Sequence, residues 1–222
     1  REKGELGDIY SVVGTYLQDW LFKDTDYNWR LEPEQSGESR AIADIGSHIM
    51  DVLEYITGVR IEAVMADFNT VHKFRKKPLK PVETYSGKML TAEDYQDVPI
   101  TTEDHANVML RFSNGNRGVI TVSQVSAGRK NRIDLEISGS VSTFHWCSES
   151  PNNLWIGNRD GANGQLMRDP SLFHGEARSV VSFPGGHNEG FPDTSKQLFK
   201  EVYQAVASGK QPEHPSFPTF AD

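Results

Sequence analysis

The chain has one cysteine, Cys147, in 222 residues, so neither an internal disulfide nor a cysteine-based zinc site can hold it together. A lone thiol suits a reducing compartment, and the expected location is cytoplasmic. Long apolar runs are missing as well: none approaches the roughly 18 to 20 residues of a membrane helix, and no signal-peptide pattern opens the chain. Arg1-Glu2-Lys3-Gly4 lacks an initiator Met and leads straight into a strand, so the natural N-terminus is expected upstream, with any targeting signal. Positive charge is scarce. Against 31 Asp and Glu stand 23 Lys and Arg, a net charge of -8, and the basic residues cluster only at Arg75-Lys76-Lys77 with Lys80. That balance argues against a nucleic-acid partner. There is no internal repeat, no low-complexity segment and no G-x-G-x-x-G phosphate loop.

What is present is a set of short apolar runs that suit one globular domain. Ile9 to Gln18 reads as a strand, and Asp19 to Arg30 as a connection holding Trp20, Phe22, Tyr27 and Trp29. Ser39 to Ile56 is the clearest helix, because Ile42, Ile45, Ile49, Val52, Leu53 and Ile56 recur at helical spacing and Gly58 follows as a stop. Ile61 to Val71 reads as a second strand, and Lys73 to Pro99 as a charged, proline-bearing excursion. Five short strands follow, near His105 to Phe112, Arg117 to Gln124, Arg132 to Ser138, Ser142 to Cys147 and Asn153 to Ile156. Turn residues such as Asn114-Gly115 and Gly139-Ser140 divide them, which describes an antiparallel meander. A second helix spans about Asp193 to Ala207, its apolar side made by Leu198, Phe199, Val202, Tyr203 and Val206, and Gly209 closes it. The tail from Gln211 is expected to be extended. The fold class is therefore α+β: a large, mainly antiparallel sheet with helices on one face. The other face needs a cover, which a second subunit could supply as a homodimer or homotetramer.

Asp44 and His48 stand four residues apart and share one side of the first helix, with Asp51 and Tyr55 continuing the stripe. A carboxylate beside an imidazole can orient the ring and raise its basicity, as a general base near neutral pH requires. The same spacing also fits an ordinary surface pair, or a metal site made by Asp44, His48 and Asp51, although no second His lies near.

The segment Asp44-Ile45-Gly46-Ser47-His48, preceded by Ser36-Gly37 and followed by Asp51 and Gly58, resembles the signature of the C-terminal domain of the Gfo/Idh/MocA oxidoreductases. That family includes glucose-fructose oxidoreductase and inositol dehydrogenase. Gly4 to Ile9, the Asn28-Trp29-Arg30 triplet, the Ser113 to Gly118 hairpin and the Gly186-His187-Asn188-Glu189-Gly190 turn extend the resemblance over nearly the whole chain. It implies a dihydrodipicolinate-reductase-like fold and an intact enzyme with an N-terminal Rossmann domain for NAD or NADP, plus an active-site Lys from a Glu-Lys-Pro motif. Neither is in this sequence, since Lys77-Pro78 and Lys80-Pro81 stand in the wrong context. Residues 1–222 are then the substrate-binding and oligomerisation domain, trimmed at both ends. Glu38 and Arg40 depart from the family pattern, where many relatives have glycines.

The resemblance makes His48 the acid/base for a substrate hydroxyl, with Asp44 binding substrate and orienting His48. It also suggests a sugar, inositol or related polyol as substrate. Gln18 could hydrogen-bond a polyol, Trp20 could offer a flat face to a sugar ring, and Arg30 could contact substrate or a cofactor phosphate. His187 could enter the site from its glycine-rich turn. The other histidines, His72, His105, His145, His174 and His214, read as structural or solvated. No metal is expected. The alternative is a non-catalytic ligand-binding or oligomerisation module on the same fold.

Overall fold

The computed structural model describes residues 4–80 and 91–209. They form ten strands: β1 Ile9–Leu17, β2 Ile61–Asn69, β3 Phe74–Pro78, β4 Tyr95–Pro99, β5 His105–Phe112, β6 Arg117–Ser123, β7 Arg132–Gly139, β8 Ser142–Cys147, β9 Asn153–Asn158 and β10 Gly164–Met167. The helices are a single turn α1 (Pro33–Ser36), α2 (Ser47–Thr57), α3 (Gly175–Val180) and α4 (Phe191–Ser208). Eight strands make one sheet in the order β10-β9-β8-β7-β1-β6-β5-β2, and β3 pairs with β4 in a separate ribbon.

The chain divides into two compact units, Arg1–Glu149 with Trp155–Gly164, and Ser150–Leu154 with Gln165–Asp222. In the first, alternation sets the sheet's two faces. Val12, Ala106, Val108, Leu110, Phe112, Ile120, Val122, Leu135 and Ile137 point inward and are buried. Against them lie Ile45, in the turn that leads into α2, and Ile49 and Leu53 of α2, each at most 2% exposed and each contributing about 2 kcal/mol by burial. The helix comes close because β1 carries Gly14 at the crossing: a Cβ there would stand 2.9 Å from Leu135 Cδ2 and 3.0 Å from Ile49 Cδ1. Gly58 ends α2 in the left-handed conformation, φ 70°, its N–H donating to the Glu54 carbonyl.

The α+β class and the strand positions follow the sequence expectation, with four corrections. The first helix enters through a π-helical turn, Ile42–Gly46, and its apolar stripe is buried less evenly than its spacing suggests. Ile42 and Val52 are half-buried, Thr57 is buried, and Ile56 is 40% exposed. The strands are not a pure meander, because β1 pairs in parallel with β6 while pairing antiparallel with β7. The charged excursion contains the β3–β4 ribbon, held by backbone pairing from Phe74↔Pro99 to Pro78↔Tyr95. Strand β10 and helix α3 carry too few apolar residues to have been read from periodicity.

The opposite sheet face is open among the described residues. A row of pairings, Met65↔Met109, Met109↔Val119 and Val119↔Val13, sets four apolar side chains side by side, each between 38% and 65% exposed. In the second unit, Leu198, Phe199, Tyr203 and Val206 of α4 are also exposed, so the expected apolar side is present but not buried. The tail from Gln211, including His214, lies outside the described residues.

Candidate active site

The parallel pairing of β1 with β6 brings two strand ends together. Past Leu17 and Ser123 the chains stay joined, the N–H of Gln18 donating to the Ser123 carbonyl at 2.8 Å and that of Leu21 to the Gln124 carbonyl at 3.2 Å. The loop leaving β1 then carries Trp20, Trp29 and Arg30 to the mouth of the π-helical turn, where Asp44 sits.

Asp44 is held from two sides. Gln124 Nε2 donates to Oδ2 at 2.8 Å, and Arg30 Nε lies 3.4 Å from Oδ1. The Arg30 guanidinium also stacks on Trp29, 4.5 Å from the ring centroid, and lies 5.8 Å from that of Trp20. Trp20 Nε1 donates to Gln18 Oε1 at 2.6 Å, and Gln18 Nε2 to Asn131 Oδ1 at 2.9 Å. Asn131 Oδ1 receives the Tyr16 hydroxyl as well, at 2.7 Å. Burial, and then the negative charge of Asp44, push the Tyr16 hydroxyl above its ordinary pKa and keep it protonated. Beside Asp44 opens a cleft of about 310 Å³ lined by Trp29, Arg30, Gln35, Ser36 and Ser39. An aromatic face, a guanidinium, a carboxylate and several hydroxyl or amide groups are the donor and acceptor set that recognises a ring carrying hydroxyls.

Under this cleft lies a buried ionic cluster. Asp104 Oδ1 accepts from Arg40 Nη2 at 2.5 Å and from Arg75 Nη2 at 2.7 Å, all three side chains being at most 1% exposed. Burial drives the Asp104 carboxyl upward, but the Arg40 charge and hydrogen bond, the His72 N–H and Arg75 together bring it below the usual carboxylate range. Burial lowers the Arg40 guanidinium pKa, against the opposing pull of Asp104. Glu103 Oε1 accepts the N–H groups of Arg40 and Ile42, both at 2.9 Å, and so caps the helix entrance from a distant part of the chain. Arg75 ties down the aromatic loop, donating to the carbonyls of Leu21, Lys23 and Asp26. Lys77 reinforces it through Glu32 at 2.6 Å, a hydrogen bond that lowers the Glu32 pKa and raises that of Lys77.

The model of the GFO/IDH/MocA C-terminal domain matches residues 1–145. The chain belongs to the GFO/IDH/MocA family. A levoglucosan dehydrogenase from Pseudarthrobacter phenanthrenivorans is 31% identical over 227 residues, covering 100% of this chain and 55% of the relative. An oxidoreductase domain protein from Kribbella flavida has a solved structure at 30% identity and TM-score 0.79, matching 96% of this chain and 54% of its own. A levoglucosan dehydrogenase in complex with NADH and L-sorbose matches at 25% identity and TM-score 0.77, over 96% of this chain and 53% of that one. The GFO/IDH/MocA chain described here thus spans about half the length of the relatives it matches.

Of the residues singled out in the sequence, the fold brings Gln18, Trp20, Arg30 and Asp44 into one hydrogen-bonded and stacked group. His48 follows Asp44 along the same helix, exposed. Both Asp44 oxygens are engaged by Gln124 and Arg30, and among the described residues none joins His48 by a hydrogen bond. Asp51 is exposed farther along α2, and no three His, Cys, Asp or Glu side chains among the described residues converge as a metal-holding group. His187 belongs to the second unit, where its ring Nδ1 lies 3.4 Å from the Gly185 carbonyl and its own carbonyl accepts from Arg168. His72 and His145 have structural partners, the Phe22 carbonyl and Asp134. Sequence reasoning missed Gln124, Asn131 and Trp29 as parts of the site. Trp29 alone carried a signal, as an aromatic beside Arg30 in a loop.

Proposed function

We propose that this chain is the substrate-binding part of an NAD(P)-dependent dehydrogenase that oxidises a secondary alcohol of a sugar, inositol or related polyol. The observation that carries the reading is Asp44, a carboxylate held by Gln124 and Arg30 at the edge of a cleft walled by Trp29. Levoglucosan dehydrogenase as a relative, and a levoglucosan dehydrogenase complex with NADH and L-sorbose among similar structures, support the same substrate class.

The sequence offers no glycine-rich strand-to-helix turn for the phosphates of a dinucleotide, so these residues do not fit that part of the cofactor, and the nucleotide is taken up by a Rossmann domain outside this sequence. When bound, the nicotinamide supplies the hydride acceptor. This chain supplies the substrate side. Asp44 accepts a substrate hydroxyl and orients the ring against Trp29, with Trp20 and Gln18 behind. An imidazole nitrogen of His48 takes the proton from the reacting hydroxyl and passes it to water. The lone Cys147 supports a cytoplasmic setting. The apolar row on the open sheet face supports assembly as a homodimer or homotetramer.

The test is nicotinamide reduction by the complete protein against a panel of sugars and inositols, with NAD and with NADP. Activity that falls by roughly 100-fold or more in His48→Ala, with the fold kept, is the expected outcome. Near-normal turnover in that variant would remove His48 from the chemistry, and a complete protein that binds no nucleotide would leave a ligand-binding or assembly module.

A further inference from the structure

We infer that Gln124 is a positioning residue for Asp44, and that the buried Arg40 dictates which way its amide points. The inference rests on the reading above, in which Asp44 binds substrate. Gln124 follows β6 and is fully buried. Its Oε1 receives Arg40 Nη1 at 3.3 Å, and its Nε2 donates to Asp44 Oδ2 at 2.8 Å. The two ends of a side-chain amide are nearly equal in shape, so their partners decide which is which. A guanidinium only donates. The amide oxygen therefore faces Arg40, and the NH2 is left for Asp44.

Arg40 has no freedom to release it. Nε donates to Thr102 Oγ1 at 3.0 Å, and Nη2 to the Thr102 carbonyl at 3.3 Å and to Asp104 Oδ1 at 2.5 Å. Asp104 is fixed in turn by Arg75. Asp44 is thus anchored through a neutral donor that does not cancel its charge, whereas Arg30 on the other oxygen is 40% exposed and free to yield to a ligand. Preorganisation of this kind keeps the carboxylate's remaining lone pairs aimed at incoming hydroxyls.

Gln124→Glu separates positioning from support. A carboxylate pairs with Arg40 better than an amide does, so a merely structural Gln124 predicts a folded protein with unchanged kinetics. Positioning predicts a folded protein in which the donor to Asp44 is replaced by a second negative charge. The expected result in the complete protein is a folded protein with kcat/KM lowered roughly 10- to 100-fold, carried mainly by KM. A folded Gln124→Glu with wild-type kcat/KM overturns the inference. If that variant does not fold, the double variant Asp44→Asn/Gln124→Glu decides, because it restores the hydrogen bond with donor and acceptor exchanged: the amide now stands on the helix and the carboxylate on the strand end. Rescue of folding supports the contact and no rescue overturns it. Should the wild type oxidise no polyol, the dehydrogenase reading fails by itself. The melting temperatures of the two single variants and the double variant then still test Gln124: coupling between them supports its hold on Asp44, and additivity overturns it.

Discussion

Replacing Asp104 by Asn removes the one charge that two buried guanidiniums share. Arg40 and Arg75 both reach Asp104 Oδ1, within 2.7 Å, and all three side chains are at most 1% exposed. Asparagine keeps an acceptor oxygen but leaves two cations facing each other, with Glu103 as the nearby counter-charge on Arg40. Breaking a buried pair by removing one partner costs about 3 to 5 kcal/mol, a large share of the roughly 5 to 15 kcal/mol that stabilises a domain. At about 2 to 4 °C per kcal/mol for a chain of this size, the melting temperature should fall by about 10 °C. Thermal unfolding followed by circular dichroism reads this directly. The pH dependence adds a second check. The folded-state pKa of Asp104 is depressed, so its contribution is present above the ordinary carboxylate pKa of about 4 and is lost as pH falls through the lower folded value. Wild type should therefore lose stability on acidification through that window more steeply than Asp104→Asn. A variant that melts within about 2 °C of wild type at neutral pH, with the same acid limb, would refute the claim that this cluster holds the site's floor.

Gly14→Ala places a methyl against Leu135 and Ile49, where the helix crosses β1, and should cost about 1 to 3 kcal/mol in thermal unfolding; an unchanged melting temperature would mean that α2 can lift off without strain. Met109→Glu puts a charge in the middle of the Met65–Met109–Val119 row and tests the proposed assembly through this face: the expected result is a smaller mass than wild type in sedimentation equilibrium, with the monomer's circular dichroism intact. The same mass as wild type after that change would take the open face out of the oligomer. His48→Ala and Gln124→Glu, described above, test the chemistry and the placement of Asp44.

Much of the fold was legible in the sequence because its signals are local. Period-two alternation marked the limits of β5 and β8, helical spacing marked α2, and Asn114-Gly115 marked the hairpin whose Gly115 takes φ 87°. Residues on a recognised helix or beside it, Asp44 and His48, or in an aromatic loop, Trp20 and Arg30, could be singled out for the same reason. Ile56 shows where local reading fails: it keeps helical spacing with the buried Ile49 and Leu53, yet it is 40% exposed while Thr57 takes the buried place at the end of the helix.

The sequence by itself determined most strands of the main sheet, helices α2 and α4, the α+β class and the Asp44-Ile45-Gly46-Ser47-His48 segment that marks the family. Tertiary structure decided what surrounds Asp44. Gln124 stands 80 residues away from it in the chain, and Asp104 stands 64 residues from Arg40, so neither pairing leaves a trace in a local pattern. Only the parallel register of β1 with β6 sets Gln18 and Gln124 at neighbouring strand ends, and only burial forces Arg40, Asp104 and Arg75 to satisfy one another. A charged or amide group in water has solvent for a partner, whereas inside the fold its partner must come from whatever the sheet order brings within hydrogen-bonding distance.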